Sequence, residues 1–341
     1  MENGQSANNR SGRFVLLIML TVQRCVLCGG DKIERLYRGV DRYFSGRDIS
    51  CDICLYCSLV FLNPRPEEKE IEDYYRNIFQ DKRRGIVDQG GAVNRLEKSH
   101  SYEKQLQNTS WLFPFVQSSS RCLEVGGGYG TRAKVIQDQC QAIVELLEPS
   151  QLAAAVAKDY YGLVVHPFVF ADYVAKEPTV RYSFISLFHV FEHLAEPRQF
   201  LRQARGLLEQ TGRLVVVVPD LNRPDTSLDR YFHIEHFFYY TPRTLTQLFE
   251  SEGFKVIFTE LERGEIRMIC ELTKEVEHRP VIANNEYHTI RRCLRFRHWR
   301  YQFLRWAKDI IVSLFILDQQ QTERLSGRFS RFFRRLGLID S

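Results

Sequence analysis

The 341 residues are 44% apolar and 26% charged, with a formal net charge of +5 at pH 7 and nine cysteines. That length and apolar content suit one large globular domain or two and exclude a disordered, collagenous or low-complexity chain. Nine cysteines are too few for a disulfide framework at this length. Residues 291–341 hold twelve Lys/Arg against four Asp/Glu, so a basic tail follows a slightly acidic body, which excludes a uniformly basic nucleic-acid-gripping surface.

Residues 1–12 are polar and are expected to be disordered. Phe14–Val22 is a nine-residue apolar run, too short to span a bilayer and followed by no small-residue cleavage site. A buried strand or a poorly ordered leader over 1–24 is expected. Then come Cys25-Val26-Leu27-Cys28-Gly29-Gly30 and Cys54-Leu55-Tyr56-Cys57, two C-x-x-C pairs with 25 residues between them. Each pair suits a knuckle turn whose N–H groups stabilise thiolate. Cys25, Cys28, Cys54 and Cys57 together predict a closed, structural Zn2+ site. An iron–sulfur cluster would need a different spacing. Cys51 also stands three residues before Cys54 and is expected to be a bystander. Zinc thiolates fit a reducing cytoplasm.

Residues 67–120 are charged and aromatic. Helical spacing recurs at Ile71, Tyr74, Tyr75 and Ile78, and again at Leu96, Tyr102 and Leu106, so helices leading into the core are expected. Next, Cys122–Val125 is a short apolar run, followed by Gly126, Gly127, Gly128 and Gly130. A helix-like segment, Thr131–Cys140, and a second apolar run, Ala142–Leu147, end at Glu148. This is one βαβ unit with a glycine turn. Glycine lets backbone N–H groups approach a ligand, and the helix points its positive end at the same place. An acid at the end of the second strand can accept from a ribose diol, so an adenosine-type nucleoside is expected here. The dinucleotide fingerprint would need glycine at 131, which is Thr131.

The spacing Glu124-x-Gly126-x-Gly128-x-Gly130 resembles motif I of the class I S-adenosylmethionine (AdoMet) methyltransferases. The resemblance implies an α/β, Rossmann-like sheet with helices on both faces over 121–275. It implies that Glu124 helps hold the methionine end of the cofactor, and that the loop Pro167–Asp172 lies over the adenine with Asp172 near its amine. Leu152–Tyr160 is expected as a helix, and Leu163–His166 and Tyr182–Phe188 as strands. His189-Val190-Phe191-Glu192-His193-Leu194-Ala195-Glu196-Pro197 resembles the H-V-L-E-H-[VLI]-x-[DE]-P signature of the same family. Ser183 departs from an Asp common at the start of that strand. A helix over Phe200–Gln210, a turn at Gly212 and a fully buried strand over Arg213–Val218 follow.

The segment Tyr231–Pro242 carries His233 and His236 and resembles the family's H-x-x-H-[aromatic]-x-x-[ST]-P stretch before a helix, Thr244–Glu252. The His233/His236 spacing also suits a metal pair, but no third ligand is near in sequence. The knuckles with Ser58-Leu59-Val60-Phe61-Leu62-Asn63-Pro64-Arg65-Pro66 resemble the zinc-binding amino-terminal module of bacterial methyltransferases of sugar and natural-product pathways. Five segments are therefore expected: a leader (1–24), a zinc module (25–66), a helical lead-in or lid (67–120), the AdoMet domain (121–275) and a basic helical tail (276–341).

The resemblance implies an AdoMet-dependent methyltransferase with a small-molecule acceptor, a sugar, sugar nucleotide or secondary-metabolite intermediate. Histidine titrates near neutral pH, so His193 and His236 are the candidate general bases, with His189 third and also on the cofactor side. O-methylation is preferred, because the arginine-rich tail does not resemble the further domain of sugar C-methyltransferases. Rival readings are an RNA-modifying methyltransferase, disfavoured because no N/D-P-P-Y/F follows the fourth strand, and an inactive scaffold. The tail, with Ile310–Val312 and Leu314–Leu317 flanked by arginines, suits peripheral contact with an anionic membrane or a packed appendage.

Overall fold

The computed structural model describes residues 19–42, 45–67, 69–70, 88–224, 226–273 and 286–315. The helical spacing at Ile71–Ile78, most of the first apolar run and the tail beyond 315 lie outside the described residues. In chain order the strands are β1 (Met19–Leu20), β2 (Ile33–Val40), β3 (Asp48–Cys54), β4 (Val60–Leu62), β5 (Arg65–Pro66), β6 (Arg121–Val125) and β7 (Ile143–Leu147). They continue with β8 (Val164–His166), β9 (Tyr182–Phe188), β10 (Leu208–Pro219), β11 (Phe238–Tyr239), β12 (Phe254–Glu262) and β13 (Glu265–Leu272). From β6 to β9 each strand is followed by a helix before the next, which is the α/β, Rossmann-like alternation.

The chain divides into two compact units. The first comprises Met1–Thr21, Arg65–Ser186 and Gly206–Glu209. Its β6, β7 and β8 pair in parallel, with Glu124 opposite Leu146 and Leu147 opposite His166. The strands read apolar because both sheet faces are covered: Leu123, Leu146 and Leu147 are buried. The helix Gln89–Lys98 is capped by Asp88, whose side chain accepts from Gly91 N at 2.7 Å. It packs Ala92 and Leu96 against Tyr129, Ala153 and Val156. The lead-in helix therefore packs on the side chain in the middle of the glycine loop and on the helix Gln151–Asp159. Met19 and Leu20 pair with Pro66 and Arg65, yet both are exposed, so this end of the first apolar run is not the buried strand expected.

The second unit comprises Val22–Pro64, Leu187–Arg205 and Gln210–Ser341. Its four-stranded sheet has the order β11-β4-β3-β2. Phe61 stands opposite Phe238, and Val60 opposite Tyr239. The knuckle module and the segment after His236 thus share one sheet, which a division at residue 66 does not show. β10, β13 and β12 form an antiparallel run, with Val216 opposite Met268 and Thr259 opposite Met268 on the other side. β12 and β13 turn at Arg263-Gly264, both at positive φ.

Three boundaries differ from expectation. β10 begins at Leu208 and runs through Gly212, so no turn forms there; Leu207 and Leu208 are both buried, which places the helix-to-strand change at that apolar pair. Phe170–Lys176 is a helix, so Asp172 lies in a first turn, where a carboxylate favours the helix dipole, and not in a loop. The helix at 242–251 starts two residues early, because Thr241 and Thr244 form a reciprocal capping box with Pro242 at the first position.

In the tail, the helix Tyr287–Phe315 buries Ile290 and Leu294 and leaves Phe296, Trp299, Phe303 and Trp306 exposed along one stripe. No helix among the described residues is long and apolar enough to cross a membrane.

Candidate active site

In the first unit the functional candidates meet at the glycine loop. Gly126 N donates to Leu147 O at 2.7 Å, which ties the loop to the neighbouring strand. Gly128, at φ +59°, donates its N–H to Glu148 Oε2 at 2.8 Å. Glu148 Oε1 accepts from Ser150 N at 2.8 Å. These two bonds hold the Glu148 carboxylate against the glycine loop. Gly130 has φ +78°, and a Cβ there would lie 2.7 Å from Leu163 Cδ1 and 2.9 Å from Ala157 Cβ. Only glycine fits this close approach of loop to sheet and helix.

Glu124 is buried. Its Oε1 is 3.4 Å from Arg132 Nη1, while Oε2 is enclosed with no hydrogen-bond partner. Burial raises its pKa, and Arg132 opposes that only in part. An orphaned buried carboxylate oxygen beside a glycine cradle is a site for a cationic or N–H-bearing group. Such an acceptor fits the amino end of an AdoMet-type ligand, and the Glu148 carboxylate fits its ribose. Asp172 lies exposed on its helix.

Also in this unit is a network that nothing in the sequence reading singled out. Glu145, buried on β7, takes Arg121 Nε at 2.5 Å, His166 Nε2 at 2.8 Å and the Tyr182 hydroxyl at 3.0 Å. Burial pushes its pKa up, but these three partners outweigh it and hold the carboxyl at about 2.

In the second unit the sulfurs of Cys25, Cys28, Cys54 and Cys57 converge, all within 4.8 Å of one another. Cys25 Sγ is 3.5 Å from Cys57 Sγ, and Cys28 Sγ is 3.5 Å from Cys54 Sγ. These gaps are too wide for a disulfide and near the roughly 3.8 Å of a tetrahedral zinc tetrathiolate. The knuckle turns supply the local geometry: Gly30 N points at Cys28 Sγ at 3.4 Å, and Ser58 N donates to Cys54 O at 2.9 Å. Cys51 is fully buried on β3 and lies outside the cluster. Arg198 braces the first knuckle, donating Nε to Val26 O at 2.6 Å, a second nitrogen to Leu27 O, and Nη1 to Ser251 Oγ at 3.0 Å and to Glu252.

The same unit gathers the histidines around Glu192, which is 1% exposed. Its Oε1 lies 3.5 Å from His189 Nδ1, 3.8 Å from His236 Nε2 and 3.9 Å from His193 Nε2. The His193 and His236 rings meet edge to face at 4.7 Å. His193 Nδ1 donates to Glu235 O at 2.9 Å, which leaves its Nε2 as the basic nitrogen. Phe237 N donates to Glu192 O at 2.9 Å and fixes the two segments together.

His189 sits at φ +55°, a conformation rare outside glycine. Its ring is partly exposed and faces carboxylates through both nitrogens, with Nε2 2.9 Å from Glu265 Oε1. Desolvation lowers its pKa, and Glu192 and Glu265 more than reverse this, to about 9. It is therefore an imidazolium at neutral pH, better placed to orient Glu192 than to take a proton. His233 packs tilted against His236 at 3.8 Å between centroids, and its backbone is held on both sides by the Tyr239 hydroxyl at 3.1 Å. Of the spaced pair His233 and His236, only His236 joins a three-residue cluster, with Glu192 and His193, and His233 lies outside it.

Residues 97–258 match the model of a methyltransferase domain family. The chain is 29% identical to the C-methyltransferase NovU of Streptomyces niveus over 140 residues, 40% of this chain and 33% of that protein. It therefore spans about a third of the length of this curated relative. Among solved structures, the CcbJ methyltransferase of Streptomyces caelestis superposes with a TM-score of 0.42 at 15% identity, covering 50% of this chain and 90% of that one. The mitomycin 7-O-methyltransferase MmcR superposes with a TM-score of 0.44 at 14% identity, covering 57% and 58%.

Proposed function

We propose, from the premise that residues 97–258 are a methyltransferase domain, that the chain transfers a methyl group from AdoMet to a small-molecule acceptor. The observation that carries this reading is the pair of acids flanking the glycine loop, Glu148 bound to Gly128 N and Glu124 with a buried, unbonded oxygen. AdoMet, when bound, supplies the activated methyl group on its sulfonium. The protein's own work is to bind it, orient the acceptor and exclude water.

For the acceptor we favour a hydroxyl. Bound AdoMet would supply the methyl group to that oxygen, and a histidine of this chain would take the hydroxyl proton. His236 Nε2 and His193 Nε2, both beside Glu192, are the groups suited to take it. The similarity to a C-methyltransferase favours a second reading, in which the same base removes a proton from an acidic carbon. The acceptor class we propose is a sugar, sugar nucleotide or secondary-metabolite intermediate. The converging sulfurs support a structural Zn2+ held by Cys25, Cys28, Cys54 and Cys57.

The test is calorimetric titration of zinc-replete protein with S-adenosylhomocysteine, with NADH as comparator. Micromolar binding of the first alone is expected, and its absence in folded protein sinks the reading. Incubation with methyl-labelled AdoMet and a panel of sugar nucleotides, with the product resolved by NMR, separates O- from C-methylation.

A further inference from the structure

We propose that Glu192, His193 and His236 form a second metal site that takes one divalent first-row transition ion. Among the described residues, two clusters bring ligand atoms within 4.8 Å of one another: the cysteines and this one. The donors are two imidazole nitrogens and one carboxylate oxygen. That set suits Zn2+, Fe2+ or Co2+, whereas Mg2+ and Ca2+ take shells of oxygen.

The argument rests on which atoms face one another. His193 donates its Nδ1 proton to the Glu235 carbonyl at 2.9 Å. A neutral ring so fixed presents a lone pair at Nε2, and this nitrogen lies 3.9 Å from Glu192 Oε1. His236 Nε2 lies 3.8 Å from the same oxygen. These gaps are too long for hydrogen bonds, yet ligands around one ion at about 2.0–2.2 Å stand roughly 3–4 Å apart. Glu192 itself is 1% exposed, and neither of its oxygens has a hydrogen bond. The His189 ring is its charged neighbour, 3.5 Å from Oε1, and a further cation can be shared between the carboxylate and the two Nε2 nitrogens.

The outer contacts are those of a metal site. A ligating histidine usually donates its other nitrogen to a carbonyl, as His193 does, and this fixes tautomer and ring plane. His189, 3.5 Å from Glu192 Oε1 and anchored by Glu265, orients the carboxylate from outside. His193 and His236 are 17% and 12% exposed, so an ion can reach them and keep open positions. An imidazole that ligates a cation cannot accept a proton, so general-base catalysis by either ring belongs to the cluster without the ion.

The test uses the full chain with its cysteine site loaded. Protein dialysed to remove loosely held metal is titrated with Co2+, followed by calorimetry and visible absorption, and metal is counted by plasma emission. One equivalent beyond the thiolate-bound metal is expected, with ligand-field bands and no thiolate charge transfer. Glu192→Gln and His236→Gln should each weaken that equivalent about 100-fold or more while keeping the first. Wild-type protein that saturates at the thiolate-bound equivalent alone overturns the proposal, whether or not the variants fold. So does a second equivalent that survives in both folded variants. The readout is metal content, so failure here leaves the methyltransferase reading standing.

Discussion

Phe61, four residues after the second cysteine pair, stands opposite Phe238, two residues after His236, in an antiparallel ladder. Leu62 N also donates to Phe237 O at 2.9 Å. The cysteine cluster and the histidine cluster are therefore two ends of one hydrogen-bonded structure. A metal at the first would hold His236 by way of β4 and β11, with no chemistry of its own.

Removing that metal should therefore reach the histidines. Cys57→Ser, or treatment with a strong chelator, should lower the melting temperature and abolish methyl transfer, because a knuckle module folds with its metal. S-adenosylhomocysteine binding, which depends on the glycine loop, should fall less. Full transfer activity in a zinc-free protein would show that the module does not support the site.

The carboxylate of Glu148 accepts from Gly128 N and Ser150 N, so it shapes the loop as well as facing a ribose. Hydrogen bonds to a charged group contribute about 1.5–3 kcal/mol. Glu148→Ala should weaken S-adenosylhomocysteine about 10- to 100-fold by calorimetry. Unchanged affinity would remove Glu148 from the binding site.

Gly130 combines positive φ with Cβ clashes against Leu163 and Ala157. Gly130→Ala should cost at least about 1–2 kcal/mol of stability. Urea unfolding would read this as a lower midpoint at constant slope, and an unshifted midpoint would count against the close packing described.

For the bases, His236→Ala and His193→Ala should each reduce kcat by about 10²- to 10⁴-fold. Cofactor affinity should change little, since the cofactor contacts are assigned to Glu124, the glycine loop and Glu148. His189→Ala should act more weakly, through the orientation of Glu192. Wild-type turnover in both of the first two variants would remove them as bases.

Acid should loosen the first unit through Glu145. Its folded pKa, about 2, lies below the ordinary 4.5, so its partners stabilise the fold above about pH 4.5. That stability is lost as pH falls from there toward about 2. The loss should be of the order of 1–3 kcal/mol, reduced by the solvent around the half-exposed Arg121. Thermal melts between pH 7 and 3 would show the decline, and Glu145→Gln should flatten it.

The sequence by itself determined the features that are local. Glu124, the glycines and Glu148 lie within one βαβ unit, and each C-x-x-C pair lies within one knuckle, so chain geometry alone makes them neighbours. The alternation of apolar runs and helical segments marked β6 to β9, because each strand buries side chains on both faces. Tertiary structure alone decided the rest. That β11 joins β4, that Arg198 grips the first knuckle, and that Glu192 meets His236 are contacts between segments far apart in the chain, and no period or spacing records them. The early start of β10 and the helix around Asp172 were settled by burial, which outweighs the local turn signal of Gly212 and the loop expected at 167–172. Glu145 was hidden for the same reason: a lone acid in an apolar run acquires its meaning only when Arg121, His166 and Tyr182 arrive from other strands.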